Sequence, residues 1–372
     1  MLWADASQAP VLTEWAKGFT AKSGVALTVM GKEDLLSDLN SATDQVAPDL
    51  IFGPHEAVQF FAPSGLLTAF TLPKTATLDA NPVSAFAIGK KQYGVPLLTE
   101  GIALIRNTKL ASKEPDTFSA LEKTALQLKS RNKNTTGWVT FAVPQGESGD
   151  VYHTFPLFSG LGGYIFGGKP GSWNIKDLGI ANQKFLKNSA LIDQWYREGL
   201  LSASTDVDTA LTAFMAGKSP YLLSGPWNLS ALADSKIRFA ISGIPPIIAG
   251  IQPQSLSMTK GVMLTKWASI HGVSAQAKIL LDTLTGVPAQ LSLATRFNRP
   301  PVNAKAIRFI KSAELKAYYR ATANSIPIPT VPEMNAVWGP LSTAWISVGP
   351  NKKTKALFSS AATQIREALR PS

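Results

Sequence analysis

A chain of 372 residues that is 45% hydrophobic and only 16% charged has a globular profile, which excludes wholesale disorder; its length asks for two domains, since one core rarely serves so many residues. The net charge of +11 is spread along the chain, densest at 129–133 and 352–355, and no zinc-finger or RNA-recognition spacing accompanies it, which argues against a nucleic-acid partner. There is no cysteine, so disulfides, thiolate catalysis and cysteine-bound metals are excluded.

In chain order, residues 2–4 read as a strand. Pro10 suits the first turn of a helix, where its missing N–H costs little; Val11, Leu12, Trp15 and Phe19 follow at helical spacing until Gly24 stops it. Residues 25–30 predict a second strand, 34–42 a second amphipathic helix and 49–52 a third, buried strand. That alternation predicts a parallel sheet with right-handed crossovers, in which ligands bind beyond the carboxyl ends of the strands. The loops after Trp3 and Phe52 are therefore the first places to look for function. A second α/β pattern starts near Asp116, with a helix over 118–129, a strand over 138–142, one long helix over 184–198, a helix over 208–216 and a strand over 221–223. An apolar strand over 262–265 and a helix over 274–284 read as a return to the first lobe, and helices over 313–322, 334–347 and 354–369 complete the chain. Two lobes joined by several crossings make a hinged cleft, a common seat for ligands. No apolar run is long enough to span a bilayer, since 241–251 is broken by Pro245, Pro246 and two glycines. The apolar opening Met1-Leu2-Trp3-Ala4 is expected to stand behind a removed export segment.

Three segments carry a resemblance. Ala213-Phe214-Met215-Ala216-Gly217-Lys218, followed by Ser224-Gly225-Pro226-Trp227, resembles the helix, strand and Gly-Pro-Trp turn of family 1 extracellular solute-binding proteins. Pro48-Asp49-Leu50-Ile51-Phe52 and the following Gly53-Pro54-His55-Glu56 resemble a first-lobe strand and binding loop of the maltodextrin-binding members. Pro332-Glu333-Met334-Asn335-Ala336-Val337-Trp338 resembles the late segment that places an aromatic ring over the sugar. Gly162-Gly163-Tyr164 and Asn174-Ile175-Lys176-Asp177 add weaker similarity, and together the segments span essentially the whole chain.

The resemblance implies an α/β, two-lobed periplasmic-binding-protein-like fold of the maltodextrin-binding cluster. Its lobes would be discontinuous, 1–99 plus 258–306 and 100–257 plus 307–372, joined by hinge segments. It implies an extracytoplasmic monomer, periplasmic or lipid-anchored, that closes on a maltodextrin-like α-gluco-oligosaccharide and delivers it to the permease of an ABC transporter, with no cofactor and no metal.

A pyranose presents a flat C–H face that stacks on aromatic rings and a hydroxyl edge that needs acceptors and donors. Burying a large side chain contributes roughly 1.5–3 kcal/mol and a hydrogen bond to a charged group about as much, so a few of each reach micromolar affinity. Trp227 follows Gly-Pro at the end of a strand, a poor place to hide an indole in a core. By resemblance, Trp227, Trp338 and Tyr152 are the stacking platforms, and Asp150, Glu100, Glu56 and, more loosely, Asp5 accept hydroxyls, with His153 lining the site. The plain alternatives are helix-face packing for Trp338, a satisfied surface role for His153, a hinge salt bridge for Glu100 and a helix cap for Asp5. Departures from the maltodextrin pattern are Gly53 for a tryptophan, Ala57 for an arginine, and Gln8 or Ser7 for a lysine, so the ligand is expected to rest mainly on second-lobe aromatics. Trehalose, sucrose or an anionic saccharide is the alternative ligand, the last calling for Lys or Arg inside the cleft. A polysaccharide-active enzyme is the remote alternative: Glu100 and Asp150 are paired carboxylates, yet no glycosidase signature surrounds them and there is no G-x-S-x-G elbow or Walker loop. His55, His153 and His271 are too few and too separated for a histidine-rich metal site.

Overall fold

The structure, a computed structural model, describes residues 1–350 and 352–370; Asn351, Pro371 and Ser372, within the expected second lobe, lie outside the described residues. Strand Leu2–Asp5 pairs in parallel with Val29–Lys32 on one side and Leu50–Pro54 on the other, as strand–helix alternation requires. Pro10 sits in the first turn of helix Ala9–Ser23, and Gly24, at φ 72°, closes it by donating its N–H to the Thr20 carbonyl. Leu12, Ala16 and Phe19 form the buried stripe of this helix.

The rest of this sheet comes from far along the chain. Strand Leu256–Leu264 pairs antiparallel with both Leu50–Pro54 and Gly94–Gly101, and its first residues pair in parallel with Ile326–Pro327. A three-stranded antiparallel sheet of Tyr221–Ser224, Ala103–Asn107 and Phe239–Ser242 lies beyond the Gly94–Gly101 strand in the chain. A large buried cluster gathers Phe118, Phe155, Phe158, Trp195, Trp345 and Phe358, and Tyr152, Trp227 and Trp338 pack against it while only partly buried. No helix among the described residues is long and apolar enough to cross a membrane.

Several expected boundaries shift for local reasons. The second strand is Val29–Lys32, later than the expected 25–30. The expected long helix over 184–198 is two, Gln183–Asn188 and Ala190–Glu198, broken at Ser189, whose hydroxyl donates back to the Leu186 carbonyl. Residues 138–142 form no strand; Ala142 alone bridges to Leu222. The strand expected over 262–265 is a nine-residue one. Ser257, Thr259, Lys260 and Gly261 interrupt its apolar pattern, yet that polar half pairs Glu100 with Met258 and Thr99 with Thr259 where the two long strands run side by side.

Candidate functional site

The helix Val151–Gly160 presents the first two site residues on its opening turn. Asp150 is its N-cap, with Oδ1 accepting the His153 N–H at 2.9 Å, and Tyr152 and His153 follow within that turn. The Tyr152 phenol donates to the Glu100 carbonyl at 3.1 Å. Burial first, and then the charge of Glu100, hold that phenol protonated, and the carboxylates of Glu56 and Asp150 also act on it. Tyr152 thus lies within electrostatic reach of three acids.

Trp227 reaches Tyr152 from another element. Strand Tyr221–Ser224 ends at Gly225, and Pro226 opens the short 3₁₀ turn Pro226–Asn228 that carries the indole. The ring folds back over the backbone of Gly225, where an added Cβ would lie 2.0 Å from the ring atom Cζ3. The glycine of the Gly-Pro-Trp motif is thereby explained by close approach and not by an unusual φ. The Tyr152 and Trp227 rings stand 6.1 Å apart, inclined at 40°. Gly225→Ala is expected to push the indole off this position, altering tryptophan fluorescence in the ligand-free protein and weakening ligand binding by roughly tenfold in calorimetry, about 1.4 kcal/mol.

His153 is buried, which corrects the surface alternative, and its Nδ1 lies 2.6 Å from Asp150 Oδ2. Its imidazole stands perpendicular to Trp227, 5.7 Å between centroids, and at 83° to Tyr152. Trp338, half-buried on helix Asn335–Ser347, lines a depression of about 340 Å³ together with Asp150, Tyr152, Gln145 and Asp206. Trp227 and Trp338 therefore each meet Tyr152, one ring against ring and the other across the depression.

The first-lobe residues are less uniform. Glu56 lies in the 3₁₀ turn His55–Ala57 directly after strand Leu50–Pro54, half-buried, and burial pushes its carboxyl up to about 7. Its neighbour His55 is fully buried, accepting the Thr259 N–H on Nδ1 and donating from Nε2 to the Ile328 carbonyl, and burial lowers it to about 4. It is a neutral strut between segments. Between an ordinary value near 4.5 and about 7, folded Glu56 keeps a proton that the unfolded chain releases, so stability falls as pH rises across that window and levels off above it. Glu122, raised to about 7 by burial and by its neighbour Glu198, acts in the same sense. Glu56→Gln is expected to flatten its share of that slope, at most about 1.4 kcal/mol per pH unit, in urea denaturation across the window.

Glu100 pairs with the guanidinium Nε of Arg299, so the salt-bridge alternative describes where its Oε1 goes. Arg299 also donates through Nη1 to the Phe297 and Asn298 carbonyls at 3.2 and 3.1 Å. Arg299 was missing from the expected site; the signal was a base directly before Pro300-Pro301, in the return segment facing an acid in the outgoing one. Asp5 is exposed, and it accepts the hydroxyl and the backbone N–H of Ser7, which lower its carboxyl below the usual range. It does not cap the helix; Gln8 occupies that position. Gly53, in place of the pattern's tryptophan, is buried, with Leu35 and Met263 3.5 and 3.6 Å from where a Cβ would lie. Among the described residues no cluster of three or more His, Asp or Glu side chains is placed to hold a metal.

Residues 14–323 match the model of a family described as bacterial extracellular solute-binding protein. Over 384 aligned residues the chain is 26% identical to a maltooligosaccharide ABC transporter solute-binding lipoprotein of Streptococcus pneumoniae, covering 99% of this chain and 88% of that one. It is also 26% identical to a galactooligosaccharide-binding protein of Bacillus subtilis, covering 95% of this chain and 85% of the relative. The fold matches a crystal structure of the maltose-binding periplasmic protein of Listeria monocytogenes in complex with maltose, with a TM-score of 0.85, 24% identity, and coverage of 99% and 97% of the two chains.

Proposed function

This chain belongs to the bacterial extracellular solute-binding protein family, and on that premise we propose that it captures a short neutral oligosaccharide of the maltodextrin type for an ABC transporter. The observation that carries the reading is the pair of partly buried rings of Tyr152 and Trp227, 6.1 Å apart, beside the carboxylates of Glu100 and Glu56. Flat C–H faces stack on such rings, and hydroxyls find acceptors at their edge. In this reading Tyr152, Trp227 and Trp338 form the floor, Glu100 and Glu56 take hydroxyls from the facing side, Asp150 and His153 line the floor, and Asp5 sits at the rim.

The lobes are 1–99 plus 258–306 and 100–257 plus 307–372, with the cleft beside the long paired strands; sugar bridging both lobes closes them, and the closed form is what the permease accepts. The protein works outside the cytoplasm, as a monomer and without catalysis. A neutral ligand is favoured because Arg299, the guanidinium beside the rings, is committed to Glu100 and to backbone carbonyls. The relative named for galactooligosaccharides keeps a β-linked or galactose-containing ligand as the second reading. Isothermal titration with maltotriose, a galactotriose, trehalose, sucrose and a uronic-acid oligosaccharide tests both. Micromolar binding of maltotriose supports the first reading, binding of the galactoside alone supports the second, and flat isotherms for every neutral sugar overturn both.

A further inference from the structure

We propose that Asp150 and His153 serve as positioning residues for the Trp227 platform, an acid–imidazole support that fixes the angle between the two stacking rings and whose imidazole touches the ligand little or not at all. This inference rests on the sugar-binding reading and deepens it.

Both oxygens of Asp150 are already held by one residue: Oδ1 accepts the backbone N–H of His153 at 2.9 Å, and Oδ2 lies 2.6 Å from its Nδ1. A carboxylate only accepts, so Nδ1 carries the proton and donates it. Two anchors three residues apart, on the first turn of one helix, leave the imidazole little freedom to rotate. The same ring is buried, with 8% of its side chain exposed, so it has little surface to offer a ligand.

Its placement between the platforms is the second part of the case. The imidazole is at 90° to the indole of Trp227 and at 83° to the phenol ring of Tyr152, with centroids 5.7 and 6.2 Å away. The two larger rings are themselves inclined at 40°. An upright ring in contact with both acts as a spacer and sets that inclination. Gly225 limits the indole from another direction, since its backbone lies under the six-membered ring. Trp227 is thus restrained by backbone and by imidazole, and only a ring so restrained can receive a sugar face without first losing rotamer freedom.

The test uses the full chain, with maltotriose in isothermal titration and the near-ultraviolet circular dichroism of the ligand-free protein. His153→Ala is expected to weaken binding about tenfold or more and to change the aromatic ellipticity before sugar is added, and His153→Phe, which fills the same space without a polar atom, is expected to recover affinity to within about threefold of the natural chain. His153→Phe as weak as His153→Ala would mean that the imidazole bonds the sugar directly, and the proposal falls. Unchanged binding and ellipticity in His153→Ala overturn it as well. Asp150→Asn, which keeps a cap acceptor, covers the case in which His153→Ala does not fold. It should weaken binding in the natural background but add little to His153→Phe, and equal losses in both backgrounds overturn the support role for the acid. If the natural chain binds none of the sugars, the ligand reading fails by itself. The ellipticity of His153→Ala then decides the support role, an unchanged spectrum rejecting it.

Discussion

Replacing Trp227 with alanine is expected to weaken oligosaccharide binding by about 2–3 kcal/mol, roughly 30- to 150-fold in Kd, with a smaller loss of folding stability. The size follows from what the indole does. It is partly buried against the large second cluster and exposes the remainder beside Tyr152, so truncation removes apolar area that only a ligand would cover fully. Its contacts with the buried cluster, His153 and the Gly225 backbone are partial, so urea denaturation should show a smaller loss than the titration does. Titration calorimetry with maltotriose measures the loss. Trp15, stacked on Phe19 on the first helix, is the control: Trp15→Phe should leave the Kd where it was. Equal affinity of the natural chain and Trp227→Ala would remove the ring from the site.

What the sequence discloses and what it hides follow from range. The strands Leu2–Asp5 and Leu50–Pro54 were legible because each is a local apolar run bounded by ordinary signals such as Gly24, whereas Val29–Lys32 is largely unburied and lies later than its apolar stretch suggested. The strand Leu256–Leu264 was only half legible. Its polar first half is specified by partners about 160 residues away in the sequence, and no local period announces such pairing. At the site, the Gly-Pro-Trp turn pointed to Trp227 because an indole directly after Gly-Pro at the end of a strand is badly placed to enter a core, and the structure adds that Gly225 lies under the ring. The group around Tyr152 was not derivable from spacing: Glu56, Glu100, Asp150 and Trp227 come from four separate elements, and their identification came through resemblance. Arg299 escaped because a pairing partner 199 residues from Glu100 leaves no periodic trace. Asp5 lies at the end of the strand the alternation pointed to, but its local partner Ser7 could not be read from spacing.

Arg299→Met is the substitution expected to cost the most folding stability. The Glu100 and Arg299 side chains are 13% and 20% exposed, so neither charge is well hydrated, and each depends on the other. Methionine keeps the apolar stem and removes the guanidinium, leaving the Glu100 carboxylate with no counter-charge. The Glu100 carboxylate is then left largely out of water without its counter-charge, and about 2–4 kcal/mol should be lost in urea denaturation at neutral pH. Most of that loss belongs to the orphaned acid and not to the missing attraction. Adding Glu100→Gln to Arg299→Met should therefore restore at least about half of it, a coupling that a double-mutant cycle measures directly. Strict additivity of the two substitutions would mean that the Glu100–Arg299 contact carries no energy and that the long paired strands are held by their backbone ladder alone.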